Sequence, residues 1–211
     1  MHVAELWRYP VKSMAGEKLA QARLGPGGVE GDRLVLARGR DGRVVTARVR
    51  PRLLGHRAVL GPDGEPLVDG RPWRAPEVAR DVEAAAGAGV RLEPSDEERF
   101  DVLPLLVATD GAVASLGYDR RRFRPNILVG GVEGLAERAW PGRTLRVGEA
   151  VIRAQKLRAR CVMTTFDPDT QAQDPEVLRR IVRELEGTLA LDCFVVEPGL
   201  VRVGDPVALA G

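Results

Sequence analysis

The stretch Arg158-Ala159-Arg160-Cys161-Val162-Met163-Thr164-Thr165-Phe166-Asp167-Pro168-Asp169-Thr170 concentrates the groups of this chain that could do chemistry. Positive neighbours favour the charged form of a cysteine, and the thiolate is both the nucleophile and the metal ligand. Sulfur selects soft or thiophilic metals. From the residues alone, Cys161 is either such a ligand or a small apolar residue packed within a strand. Cys193, inside Leu191-Asp192-Cys193-Phe194-Val195, reads as core. Asp167, six residues beyond Cys161, is either an acid assisting proton transfer or part of an Asp-Pro turn.

Two further constellations carry polar groups at suggestive spacing. Asp119-Arg120-Arg121-Arg122-Phe123-Arg124-Pro125-Asn126-Ile127 is a basic run before a strand. It reads as a solvated loop, as a nucleic-acid contact, or as a grip on phosphate. Guanidinium forks hold phosphate through paired hydrogen bonds, and an Asn offers a heterocycle both donor and acceptor. Tyr9-Pro10-Val11-Lys12-Ser13-Met14, with Gly31-Asp32-Arg33 further on, is either an anion-holding turn or an exposed one. Of 32 basic residues 29 are Arg, the lysines being Lys12, Lys18 and Lys156, while Asn126 is the single Asn. The bias itself reads as genomic composition, and where so biased a chain keeps Lys12, Ser13 and Asn126 those positions become candidates for a site requirement. No Gly-x-x-x-x-Gly-Lys loop, dinucleotide glycine fingerprint or Gly-x-Ser-x-Gly elbow occurs. His2 and His56 are the only histidines, which argues against a His-rich zinc hydrolase or a Ser-His-Asp enzyme.

The elements that must position these groups are mostly strands. At 211 residues, with 44% hydrophobic and 29% charged, the chain is globular and long enough for one domain, or two sharing a core. A net charge of +2 gives no whole-molecule pull onto nucleic acid. No apolar run approaches the roughly eighteen residues of a membrane span, and Met1–Glu5 is no secretory signal. Two cysteines suggest a reducing, cytoplasmic setting. Turns at Gly39–Gly42 and Gly61–Gly64 predict antiparallel hairpins. Further strands are expected at Gly89–Leu92, Pro104–Thr109, Ile127–Val129, Thr144–Val147, Ala150–Leu157, Leu189–Val196 and Leu200–Leu209. Helices are expected at Pro76–Ala86, at Gly111–Leu116 after the cap Thr109-Asp110, and at Pro175–Glu186 after Asp174. In the last, Val177, Leu178, Ile181, Val182 and Leu185 read as one core-facing stripe. The acidic stretch Glu93–Glu98 reads as a solvated loop and the softest boundary. The whole is expected to be mainly β, a barrel or sandwich with a few peripheral helices.

Several of these stretches resemble one family. Leu6-Trp7-Arg8-Tyr9-Pro10-Val11-Lys12-Ser13-Met14-Ala15-Gly16-Glu17 is similar to the opening of the MOSC N-terminal β-barrel domain. Phe123–Ile127 and Arg160–Thr170 resemble the MOSC domain proper, and Gly199–Val207 its closing strand pair. The resemblance implies an N-terminal β-barrel-like domain over residues 1–93 and a β-barrel MOSC domain over 94–211. Relatives pairing both domains, such as the mitochondrial amidoxime-reducing component, bind molybdenum cofactor (molybdopterin) and reduce hydroxylamines, amidoximes and N-hydroxylated bases. By matching position, Cys161 would ligate molybdenum, and Lys12, Ser13, Arg33, Arg124 and Asn126 would grip the phosphate and pterin. Ser115 falls where the family has a Ser-Leu pair near the pterin, and Arg160 precedes the ligand as a further contact. A small N-hydroxylated substrate is therefore expected. Electrons would come from a separate flavoprotein, ferredoxin or haem protein, because no cysteine-rich ferredoxin-like stretch is present. The alternative is a protein that carries the cofactor, or sulfur on Cys161, without turnover. The family's common Cys-Phe-Gly is here Cys193-Phe194-Val195, and the chain is shorter than the familiar reductases.

Overall fold

The computed structural model describes residues 1–95 and 99–210. The first half runs β1 (His2–Arg8), β2 (Glu17–Leu19), β3 (Gln21–Gly25), β4 (Gly28–Val29), β5 (Val35–Arg38), β6 (Val44–Val45), β7 (Ala58–Leu60), β8 (Pro66–Val68), β9 (Arg71–Pro72), α1 (Pro76–Ala86) and β10 (Arg91–Pro94). The second runs β11 (Leu105–Thr109), α2 (Asp110–Leu116), β12 (Ile127–Gly130), β13 (Thr144–Val147), β14 (Ala150–Ala159), α3 (Pro175–Leu185), β15 (Thr188–Glu197), β16 (Gly199–Arg202) and β17 (Val207–Ala210). The expected mainly-β architecture is what the chain adopts.

Eight strands form one mixed sheet in the order β17-β13-β14-β15-β11-β12-β1-β2, and three smaller sheets are β10-β5-β6, β16-β3-β4 and β7-β8-β9. Every residue of β11, Leu-Leu-Val-Ala-Thr, is buried, which suits a continuous apolar run to the middle of the sheet. β11 pairs in parallel with β12, and the other ladders of this sheet are antiparallel. The hairpins expected across Gly39–Gly42 and Gly61–Gly64 are β5–β6 and β7–β8.

The expected barrel does not close. Val3 N–H donates to the Asp205 carbonyl at 2.9 Å, Gly204 N–H to the Val3 carbonyl at 2.8 Å and Val207 N–H to the Met1 carbonyl at 3.0 Å, around an isolated bridge between His2 and Pro206, but among the described residues no ladder links β1 to β17. The turn through Gly204, at φ +92°, confines the contact to that corner. The same Gly204-Asp205-Pro206 corner splits the single closing strand that the sequence suggests. β16 leaves to pair with β3, while β17 pairs with β13.

One core lies inside the large sheet, where Val3, Leu6 and Leu24 meet Leu105, Ile127, Leu145, Ile152 and Leu191. β1 and β2 thus belong to the same sheet as the second half of the chain. A second core (Val11, Met14, Val35, Leu53, Trp73, Val78, Val82) is local to the first ninety residues. In α3, capped by Asp174 Oδ1 accepting from Glu176 N–H at 3.0 Å, Val177, Ile181 and Leu185 pack on Leu116 and Phe123. Val182 is 57% exposed, so the apolar stripe is narrower than expected. Glu93 and Pro94 are not loop, since they pair with Leu36 and Val35 in the β10–β5 ladder. The rest of that acidic stretch, 96–98, lies outside the described residues. Among the described residues no helix is long and apolar enough to cross a membrane.

Candidate functional site

β14 delivers Cys161. Two residues past its end the chain turns into a single 3-10 turn, Val162–Thr165, with Cys161 extended at its N-cap (φ −132°). Two hydroxyls set that turn: Thr164 Oγ1 donates to the Cys161 carbonyl at 2.9 Å and Thr165 Oγ1 to the Val162 carbonyl at 2.7 Å. Cys161 is partly exposed, whereas Cys193 is sealed in the sheet core, and burial pushes its thiol far up. Arg48 hydrogen-bonds Cys161 and pairs with Asp101 at 2.7 Å. Burial works against the Arg48 charge, but Asp101 and Cys161 outweigh it and raise its pKa.

Asp101 ties this thiol to the turn after β1. Lys12, nearly buried, reaches it at 3.1 Å. Burial would raise the Asp101 carboxyl, yet Lys12, Arg48 and Arg33 hold it below the usual carboxylate range. Ser13 adopts a left-handed backbone (φ +71°), and its Oγ accepts from Ala47 N–H at 3.0 Å, fixing the residue before Arg48. Arg33, also left-handed, pairs with the fully buried Asp32, whose other oxygen accepts from Tyr9 N–H at 2.7 Å. Tyr9 then stands between two guanidinium groups, Arg33 at 5.4 Å and Arg124 at 4.2 Å from its ring. Its hydroxyl donates to the Pro125 carbonyl at 3.1 Å, and burial pushes its pKa up to about 12 despite both cations.

Within this cluster Arg124 and Arg160 are the cations without a salt-bridge partner among the described residues. Among the described residues the Arg124 side chain has no hydrogen bond or carboxylate partner. Burial, with Arg33 nearby, pushes its pKa down to about 10. Arg160 donates from Nη2 to the Phe123 carbonyl at 2.9 Å, but its Nε is buried with no partner. Burial, then Arg158, lowers its pKa to about 10. Beneath it Arg158 Nε lies 2.6 Å from the fully buried Asp192.

A cleft of about 420 Å³ opens beside this cluster, with Trp7, Tyr9, Arg57, Arg124, Met163 and Phe166 among its walls. Trp7 and Tyr9 stack with centroids 6.4 Å apart and planes 15° from parallel. Trp7 is held by its indole N–H donating to Glu5 Oε2 at 2.8 Å.

The structure therefore brings Cys161, Lys12, Ser13, Arg33, Arg124 and Arg160 into one connected region. Three other expected residues are engaged elsewhere. The Asn126 side chain, fully buried, accepts from Leu106 N–H at 3.1 Å and donates to the Trp7 carbonyl at 3.4 Å, pinning β11 to β1. Ser115 is exposed on α2 and donates to the Ala112 carbonyl at 2.8 Å. Asp167 anchors its own loop: Oδ1 accepts from Thr170 N–H at 2.9 Å and Oδ2 from Arg122 at 2.9 Å. The Thr170 backbone, outweighing burial, holds its pKa low, so it is no proton donor near neutral pH. Arg48, Asp101 and Tyr9 escaped the sequence reading. Tyr9 lies in the Tyr-Pro-Val-Lys-Ser motif and could have been found there; Arg48 and Asp101 stand in no motif.

Comparison with known proteins covers nearly the whole chain. Residues 1–85 match the family model for the MOSC N-terminal beta barrel domain and residues 109–208 that for the MOSC domain. Human mitochondrial amidoxime-reducing component 1 is 27% identical, over 99% of this chain and 83% of its own length. Human mitochondrial amidoxime reducing component 2 is 26% identical, over 97% and 82%. Among solved structures, the YuaD protein from Bacillus subtilis superposes with a TM-score of 0.53 at 15% identity, over 97% of this chain and 92% of that one, a likeness of fold.

Proposed function

The chain belongs to the MOSC-domain family, and on that premise we propose that it is a molybdenum-cofactor-dependent oxidoreductase that reduces N-hydroxylated compounds. The observation that carries the reading is the partly exposed Cys161 thiol set among cations that the chain itself leaves under-compensated.

The residues present suit that cofactor. Among the described residues no three His, Cys, Asp or Glu side chains cluster as a metal site, so a metal at the one thiol would take its remaining ligands from outside these side chains. A ligand carrying sulfur and phosphate brings such donors and negative charge. Lys12, Arg33, Arg48 and Arg124 surround two carboxylates, Asp32 and Asp101, while Arg160, on the side of Asp192, has an Nε without a partner. Cys161 would ligate the metal, the cations would hold the anionic groups, and the Trp7–Tyr9 stack offers a face for a planar ring. When bound, the cofactor supplies the electron transfer and oxygen acceptance of the reaction.

Overall, R–NH–OH takes two electrons and two protons to give R–NH2 and water. The chain's residues bind and orient. Tyr9 keeps its phenolic proton, which it donates to the Pro125 carbonyl, and Asp167 stays ionised. Neither delivers the protons, which reach the partly exposed site from solvent. Asp101 holds Lys12 and Arg48 in place.

The test is expression in a host that makes the cofactor, with metal and pterin quantified and N-hydroxypurine reduction followed using a reduced dye as donor. Stoichiometric molybdenum with turnover is expected, and Cys161→Ser should lose both while keeping its circular dichroism. Bound cofactor without turnover would instead identify a carrier.

A further inference from the structure

Several exposed arginines of this protein sit on carboxylates, among them Arg74 on Glu65 at 2.7 Å, Arg48 on Asp101 at 2.7 Å and Arg91 on Glu93 at 2.5 Å. The outward face of the β13–β14–β15 part of the sheet gathers cations that do not. Arg146, Arg153 and Lys156 are exposed there, and none has a hydrogen-bond or ion-pair partner among the described residues.

Cross-strand pairs share a face of an antiparallel sheet. Thr144 pairs with Arg153 and with Ala210, Arg146 with Val151 and with Ala208, and Arg153 with Phe194. Lys156, three residues beyond Arg153, would ordinarily point to the opposite face. A bulge between Ala154 and Lys156 resets the alternation, so that Lys156 pairs with Asp192, which shares its face with Phe194. The result is one surface with three exposed cations among Ala208, Ala210, Phe194 and the 49% exposed Val196. It carries one exposed carboxylate, Glu197, in the same cross-strand row as Arg146, and the buried Asp192, which lies against Arg158 and also feels Lys156. β14 runs from this surface straight to the site. Lys156 is five residues from Cys161, at most about 17 Å of extended chain.

We infer that this face is the docking surface for a small acidic one-electron carrier protein, which supplies the reducing equivalents for the site at Cys161. The inference rests on the reductase reading. Each turnover, R–NH–OH + 2 e⁻ + 2 H⁺ → R–NH2 + H2O, oxidises two carrier molecules by one electron each, and the protons come from solvent. Three cations with apolar residues between them suit a protein interface, where charge steers the encounter and apolar contact completes it. They fall short of the roughly four to eight basic residues of a lipid-binding cluster. The chain's net charge of +2 is small for a nucleic-acid surface.

The probe is a plant-type [2Fe–2S] ferredoxin of net negative charge, added to the cofactor-loaded full chain. Its affinity is measured by calorimetry at low and moderate salt for the wild type, for Arg146→Glu/Arg153→Glu/Lys156→Glu, and for a control, Arg23→Glu/Arg52→Glu/Arg80→Glu. The first variant is expected to bind about 10-fold more weakly or worse at low salt, and the control within about 2-fold of wild type. Dye-driven reduction should be equal in all three, while ferredoxin-driven reduction falls only in the first. Equal affinity in the first variant and wild type, or equal loss in the control, overturns the inference. So does tighter binding of duplex DNA or of anionic vesicles than of ferredoxin. Absent dye-driven turnover in loaded wild type fells the reductase reading and the inference with it; present turnover with unaltered ferredoxin binding fells the inference alone.

Discussion

Replacing Glu5 by Gln should cost this protein about 3 kcal/mol at pH 7 and almost nothing near pH 2. Glu5 is 8% exposed on β1, and burial alone would raise its pKa. Arg120 grips both its oxygens, the Trp7 indole donates at 2.8 Å and Lys18 Nζ at 3.0 Å, and together these lower it from 4.5 to about 2. At about 1.4 kcal/mol per pH unit, that difference is worth about 3 kcal/mol. Because the folded-state pKa is depressed, the stabilisation is complete above the unfolded value near 4.5 and is lost as pH falls through about 2. Urea unfolding of wild type and Glu5→Gln at intervals between pH 7 and pH 2 gives the difference directly, since other carboxylates titrate in both proteins and cancel. A gap below about 1 kcal/mol at pH 7, or one that stays constant down to pH 2.5, would refute the reasoning, because a buried pair with one partner removed costs about 3–5 kcal/mol. The consequence reaches the cleft. Trp7 and Lys18 both line it, and both take their position from this carboxylate.

Three other perturbations separate binding from folding. Arg124→Asn keeps a residue tolerant of the left-handed backbone at φ +54° but removes a guanidinium without a carboxylate. Pterin content should fall by about 10-fold, roughly one good charged contact, while urea stability is unchanged or rises. Loss of stability with cofactor retained would contradict that. Gly16→Ala puts a methyl against the Arg8 carbonyl and 2.5 Å from Tyr9 Cδ1, so Tyr9 must move; a cost of about 1–3 kcal/mol and weaker cofactor retention are expected from unfolding and pterin assays. Phe123→Ala empties a fully buried position between α2 and α3, and should cost about 3–5 kcal/mol in urea unfolding.

How much of this was legible in the sequence depends on whether a feature is local. α1 matches its expected limits because a Pro-started amphipathic run with a glycine behind it needs nothing from the rest of the chain. α3 does so for the same reason, apart from ending on the left-handed Glu186 one residue before the expected Gly187. The open edge of the sheet is not local. It depends on Pro206 meeting His2, more than two hundred residues away. The site divides along the same line. Lys12, Arg33, Arg124 and Cys161 stand in compact motifs because each needs a special local backbone: three of the loops carry a left-handed residue, at 13, 33 and 124, and the fourth an extended cap. Asn126 sits in such a motif too, yet its amide is consumed by Leu106 and Trp7, so a motif can mark a pin between strands as readily as a ligand contact. Arg48 reaches the thiol, and Asp101 reaches Arg48 and Lys12, through side chains alone and from positions without a left-handed backbone, and a guanidinium or carboxylate on such a loop leaves no trace in spacing. In this chain 29 arginines raise that background further. What singles Arg48 out is Ser13 holding Ala47, a contact across thirty-four residues that only the folded chain contains.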